Sequence, residues 1–292
     1  MKTCVDCVPC IMTQAVRAPR RFTDDLAVIE AIARETAAAL SRFDFDRPPP
    51  EMGGLLNRIM ARHLGRADPY LEEKRRFNEM ARGLLPGLRE RVARSPDPFE
   101  AAVRLAVAGN AIDFGAPGGR TDGRLAEMFE AALTTEIAGG GSAAIARLRE
   151  AVSRARRILY LADNAGEIAI DRLLIERLPG GTVTVAVRSG PVINDALRAD
   201  AEQVGLSEVA TVIESGVALP GTPLGLCTDE LREHFRAADV VISKGQGNFE
   251  TLSDAPRAVW FLLMVKCDVV ARHAGCAMGD LAVLEGGAAQ PG

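Results

Sequence analysis

Apolar positions three and four residues apart run through much of residues 1–150, and short continuous apolar runs replace them afterwards. The segment "DDLAVIEAIARETAAALSRF" begins beside Thr23 and two aspartates and keeps one apolar face, which predicts a capped amphipathic helix. "PYLEEKRRFNEMARGLLPGLRERVA" and "DPFEAAVRLAVAGNAID" predict two more, the second stopping near Gly109. The glycines at 139–141 predict a break before a helix over 143–155. From about 156 onward "RRILYLA", "GTVTVAV", "EVATVIES" and "ADVVISK" are β-branched runs suited to central parallel strands. Helices are expected between them at 167–178, 194–204 and 228–237, with a further one near 255–265. "KCDVVARH" and "DLAVLEG" are expected as edge strands. The expected fold class is α/β. A helical N-terminal domain (1–150) is expected ahead of a three-layer α/β domain (151–292) with a mostly parallel sheet.

Composition narrows the function classes. A net charge of −4 over 292 residues leaves no broad basic footprint for nucleic acid or anionic lipid. The N-terminus lacks the apolar core of a signal peptide, and "AVWFLLMVKCDVVA" is interrupted by Lys266 and Asp268 and too short to span a bilayer. A cytoplasmic protein with free or metal-bound thiols is expected from its six cysteines.

Ligands of open α/β sheets bind beyond the carboxyl ends of the strands. Three polar clusters fall there: "DNAGE", "RSGPVINDAL" and "SKGQGNFETL". In the first, Asn164 and Glu167 have the spacing of a capping box, which leaves Asp163 unexplained. Adjacent Asp and Asn also supply hard oxygens for a cation such as Mg²⁺ or Mn²⁺. The second cluster places Asn194 and Asp195 at a neighbouring strand end, as cap or ligand, with Arg188 as a phosphate partner or a solvated arginine. In the third, Gly245 and Gly247 let backbone N–H groups approach an anion and Lys244 adds a charge, without a Walker or dinucleotide spelling. Hard-cation ligands beside phosphate donors fit metal-assisted phosphoester hydrolysis.

These motifs, together with "GNAIDFG", the N-terminal "CVDC" and the late "VKCDVVA", resemble the family once labelled domain of unknown function 89. Its members include damage-control phosphatases, and the cysteine motifs look like its prokaryotic branch. The resemblance implies a helical region on a Rossmann-like domain. It also implies a divalent-metal-dependent phosphatase for small phosphometabolites such as sugar phosphates or phosphopantetheine-type esters. The family's metal ligands fall on Asp163, Asn164 and Asp195, and its loop lysine on Lys244, followed by Asn248. On that reading Mg, Mn, Co or Ni is the cofactor. Lys244 neutralises the transferring group with Arg188 and the 245–247 amides, and Glu167 positions water; Asp163 as a nucleophile ranks lower because ligation occupies its oxygens. An older carboxyl methyltransferase label for some relatives is disfavoured, because "LADNAGE" offers one glycine where a methyl donor needs a glycine-rich turn.

Other residues stay open between two readings. Asn110 and Asp113 are turn residues or part of the substrate pocket. Asp171 is expected as an exposed carboxylate, and His63, His234 and His273 as surface or packing residues. Cys4, Cys7 and Cys10 have CxxCxxC spacing but Gln14 stands where a ferredoxin's fourth cysteine belongs. They are an inert thiol cluster, or with Cys267 or Cys276 a second metal or redox site. Outside enzymology the rival reading is a phosphometabolite-binding or metal-sensing protein.

Overall fold

The computed structural model describes residues 1–110, 122–179 and 181–287. Seven helices come first: α1 (Cys7–Arg17), α2 (Leu26–Leu40), α3 (Pro50–Leu64), α4 (Leu71–Ala93), α5 (Pro98–Asn110), α6 (Asp122–Ala132) and α7 (Gly141–Arg154). The cap expected at the start of α2 is formed by Asp25, whose carboxylate accepts from Ala27 N. Strands and helices then alternate: β1 (Arg157–Leu161), α8 (Glu167–Ile175), β2 (Thr182–Val187), α9 (Arg198–Gln203), β3 (Thr211–Glu214), α10 (Asp229–Ala237), β4 (Val240–Lys244), α11 (Gln246–Leu252), β5 (Val259–Met264), α12 (Asp268–Ala274) and β6 (Leu281–Gly286).

The six strands form one sheet in the order β3-β2-β1-β4-β5-β6, parallel except for the antiparallel edge strand β6. The order reverses at β1, so the crevice beyond the ends of β1 and β4 is the topological switch point where such sheets bind ligands. Strand interiors are buried on both faces, which is why their sequences are continuous β-branched runs.

One face of the sheet, α8 and the helices α4, α5 and α7 share the largest core cluster, from Ala81 to Val283. That core crosses the boundary expected at residue 150. Two small separate clusters hold α1, α2 and α3 together, and α1 and α3 supply the walls over the crevice.

Two expected elements are exchanged. The helix expected near 255–265 is strand β5, since "VWFLLM" is apolar at every position and belongs to a strand buried on both faces. The edge strand expected at "KCDVVARH" is helix α12, which opens on Asp268 and ends at Gly275 in the left-handed conformation (φ 66°). No helix among the described residues is long and apolar enough to cross a membrane.

Candidate active site

The chain leaving β1 meets a loop that folds back from β2. Asn164 and Asp195 form an isolated antiparallel bridge, with Ala165 N donating to Asn194 O (2.9 Å) and Ala196 N to Asp163 O (2.8 Å). This pairing sets the side chains of Asp163, Asn164 and Asp195 side by side on the floor of a cavity of about 320 Å³. The loop is pinned from α3: Asn57 donates to Pro191 O (3.1 Å) and accepts from Ile193 N (3.0 Å). Ile193 stands at φ 45°, a conformation that a β-branched side chain adopts only when its surroundings impose it.

Each of the three ligand candidates has one oxygen committed elsewhere or a committed amide, and one oxygen left. Asp163 Oδ2 accepts from Asn110 Nδ2 (2.8 Å) and Asn164 Nδ2 (2.7 Å). Asn164 Nδ2 also donates to Glu167 Oε2 (2.8 Å). Asp195 Oδ2 accepts from Arg188 Nε (2.7 Å). Asp163 Oδ1, Asn164 Oδ1 and Asp195 Oδ1 accept no hydrogen bond among the described residues, and the Arg188 guanidinium lies 3.9 Å from Asp163 Oδ1. Burial, with the neighbouring Glu167 and Asp195 carboxylates, pushes the Asp163 carboxyl up to about 8 against the pull of Lys266 and Arg188. Burial raises Asp195 as well, although Arg188 holds it back. A crowded set of unshared carboxylate and amide oxygens fits a hard divalent cation on donor chemistry. Two carboxylates and one amide make the set, and among the described residues no group of three or more His, Cys, Asp and Glu is arranged to hold a metal.

The capping box expected between Asn164 and Glu167 is not made. Gly166, which has no side chain to cap with, stands at the N-cap of α8, and Asn164 Nδ2 bonds to the Glu167 carboxylate instead of a backbone group. Gly166 N is taken by Asn78 Oδ1 of α4 (2.6 Å), and Asn78 reaches on to Asp200 and Gln203 of α9.

Lys244 lies elsewhere than its expected place at the phosphate. Its side chain is fully buried and donates to Glu167 Oε1 (2.5 Å), Asp171 Oδ1 (2.5 Å) and Ala106 O (2.8 Å). Glu167 and Asp171 are one helical turn apart on the inward face of α8, so Asp171 is buried rather than exposed. Burial alone would raise Glu167, but Lys244 and the amides of Asn164 and Asn110 bring it below its ordinary value. Burial raises Asp171 to about 7 despite Lys244, and burial with Asp171 raises the Tyr160 phenol beneath it. Glu167 is therefore an orienting acceptor for Asn164 and Asn110, and its carboxylate is fully buried.

Arg188 and Asn248 are likewise internal. Arg188 spans Asp195, Thr222 Oγ1 (3.0 Å) and Asn248 Oδ1 (3.1 Å), and Asn248 Nδ2 donates to Lys244 O (2.8 Å) and Ala162 O (3.2 Å). The glycines of the loop make room more than they offer amides. A Cβ on Gly245 (φ 79°) would lie 2.0 Å from Asp163 Oδ2, and one on Gly247 would lie 1.7 Å from Pro220 O. Gly245 N donates to Leu262 O, so it is engaged in the sheet. Asn194 and Gly247 do line the cavity. Asn110, at the end of α5, belongs to the site and is held by Met264 N. Asp113 lies outside the described residues. His63 pairs with Glu35, and His273 with Ser253 Oγ, away from the floor.

Sequence reasoning passed over Asn57, Asn78 and Lys266. Lys266, just past β5, is exposed and is the one Lys, Arg or His among the described residues that line the cavity. Its signal was visible: a single cation interrupting an apolar run immediately after a strand.

Comparisons with known proteins bear on the fold and the family. Residues 3–282 match the family model described as Damage-control phosphatase ARMT1-like domain. A damage-control phosphatase of Pyrococcus horikoshii is 35% identical over 286 residues, covering 96% of this chain and 97% of that one. One of Archaeoglobus fulgidus is 32% identical over 287 residues, covering 96% and 98%. The crystal structure of a DUF89 family protein from Pyrococcus horikoshii superposes with a TM-score of 0.86 at 35% identity, over 98% of this chain and 99% of that one.

Proposed function

The chain belongs to the damage-control phosphatase ARMT1-like family, and from that premise we propose that it is a divalent-metal-dependent phosphomonoester hydrolase acting on small phosphorylated metabolites. The observation that carries the reading is the convergence of three unshared oxygens, from Asp163, Asn164 and Asp195, at the switch point of the sheet. They would hold the ion (Mg, Mn, Co or Ni), which when bound supplies Lewis-acid polarisation of a phosphoryl oxygen.

The protein's own groups divide the remaining work. Lys266 takes the place first given to Lys244 and neutralises the substrate phosphate at the cavity wall. Arg188 holds Asp195, and Asn110 holds Asp163, so that both carboxylates face the cavity before substrate arrives. The Lys244–Glu167–Asp171 cluster fixes the Asn164 amide from below, leaving its carbonyl oxygen upward. Helices α1 and α3 cover the crevice and exclude water around the ester. Sugar-phosphate and phosphopantetheine-type esters are the substrate classes proposed.

A panel of these esters assayed with each ion, and again with chelator, tests the reading. Phosphate release should depend on added metal and fall by about a thousandfold or more in Asp163→Ala. Binding of esters without release under every ion would favour the non-enzymatic, phosphometabolite-binding reading instead.

A further inference from the structure

The cavity has a second chemistry on its helical wall that phosphate transfer does not use. Cys7 and Cys10 of α1 and Cys267 beyond β5 line the same cavity as Asp163, Asn164 and Asp195. Cys4 stands three residues before Cys7, and the two thiols are 3.7 Å apart. We propose that Cys4 and Cys7 are a reversible thiol–disulfide site, a turn-spanning crosslink that resets the wall of the cavity when it closes.

The backbone is already in the geometry such a crosslink requires. Cys7 N donates to Cys4 O (3.0 Å), the closing hydrogen bond of a tight four-residue turn that leads into α1. The ends of such a turn lie within about 7 Å, Cα to Cα, and disulfides bridge Cα separations of about 4.4–6.8 Å. Side-chain rotation within the turn therefore suffices. Both residues are half-buried, so a small oxidant reaches them. The other thiols are engaged elsewhere: Cys10 with Gln14, Cys267 with Gln246, Cys227 with Pro223 O and Cys276 with Ala274 O. Among the described residues no three Cys, His, Asp or Glu are arranged around one point to share a metal.

The oxidant is a low-molecular-weight disulfide. Burial pushes the Cys7 thiol up to about 12, so Cys4 attacks the oxidant as the thiolate, forming a mixed disulfide and releasing one small thiol. The second cysteine then attacks the protein sulfur, loses its proton to solvent and releases the second small thiol. Two S–H bonds and one S–S bond are lost, one protein S–S bond and two small-molecule S–H bonds form, and two electrons pass to the oxidant. Bonded sulfurs lie about 2.0 Å apart, so the present 3.7 Å gap must close. Cys7 Sγ withdraws along the cavity wall, while the oxygens on the floor keep their partners. The consequence for turnover rests on the proposed phosphatase reading; the crosslink itself does not.

The test uses the full chain, purified reduced and then equilibrated with glutathione disulfide. Of the six thiols, two should disappear, and dithiothreitol should return them. Fragmentation of the tryptic peptide 3–17, which holds Cys4, Cys7 and Cys10, should place the link between Cys4 and Cys7. Cys4→Ser and Cys7→Ser should each abolish it. A stable glutathione adduct, a Cys7–Cys10 or Cys10–Cys267 link, or zinc or iron bound by these thiols at about one per chain would overturn the site. With an active ester, oxidation should change KM about threefold or more at constant kcat, and not in Cys7→Ser. An unchanged KM would overturn the effect on the cavity. Failure to hydrolyse any ester would sink the phosphatase reading and leave the thiol result to decide the crosslink.

Discussion

Lys244→Met separates the place the structure gives this lysine from the phosphate contact its loop invites. The ammonium is fully buried between Glu167 and Asp171 at 2.5 Å from each, and it also holds Ala106 O. Removing it strands two carboxylates in the core. Asp171, already raised to about 7 by burial, takes up a proton easily. Glu167, which Lys244 holds below its ordinary value, is left as one uncompensated buried charge. Removing one partner of such a pair costs about 3–5 kcal/mol. At an m-value of about 3 kcal/mol/M, the urea midpoint should fall by about 1–1.7 M. Lys244→Met combined with Glu167→Gln and Asp171→Asn should recover at least half of that loss, because no stranded charge remains. Equilibrium urea unfolding followed by tryptophan fluorescence reads this through Trp260 of β5, which is buried. A midpoint shift below about 0.3 M, with a raised KM for phosphate esters, would refute the assignment and return Lys244 to the substrate.

Three further outcomes follow from neighbouring geometry. Gly245→Ala should destabilise the fold by about 2 kcal/mol or more and abolish divalent-ion binding, since its Cβ would lie 2.0 Å from Asp163 Oδ2 at φ 79°; calorimetric Mn²⁺ binding at the wild-type level would contradict this. Asn57→Ala removes both hydrogen bonds that hold the Ile193 turn, so kcat/KM should drop about tenfold for about 1–3 kcal/mol of stability, and an unchanged kcat/KM would separate the turn from the site. Glu250, on the cavity wall, has its carboxyl raised by burial to about 7 against the pull of Gln246 and the N-terminal amine. Because the fold prefers its protonated form, the stability it contributes is full below the ordinary value of 4.5 and is lost as pH rises through about 7. Melting curves should therefore show Glu250→Gln gaining on the wild type between pH 5 and pH 8, and a constant gap would argue against that burial.

The sheet was readable because β1 to β4 are short β-branched runs punctuated by glycine and polar turns. The rule that ligands gather at strand ends singles out Asp163, Asn164 and Asp195 from the sequence alone, although the bridge between Asn164 and Asp195 is a tertiary fact. Periodicity fails for β5, where every position but Met264 is buried and helix and strand look alike. It fails differently for α12, a seven-residue helix whose two valines resemble a strand. Lys244 and Asp171 were misplaced for one shared reason. A carboxylate on a helix is exposed by default, and nothing local says that a lysine one strand away turns inward to meet it. Asn57 and Asn78 act across 136 and 88 residues of sequence, so their contribution is invisible to any local pattern.

The most direct test of the metal-dependent account is calorimetric titration of the full chain with Mn²⁺, alongside Asp163→Asn and Asp195→Asn. The wild type should bind one ion per chain at the floor of the cavity, and each substitution should weaken binding by about tenfold or more without unfolding the protein. Mn²⁺ bound as tightly by both variants as by the wild type would contradict the account, because the three unshared oxygens at the switch point would then not be the seat of the ion.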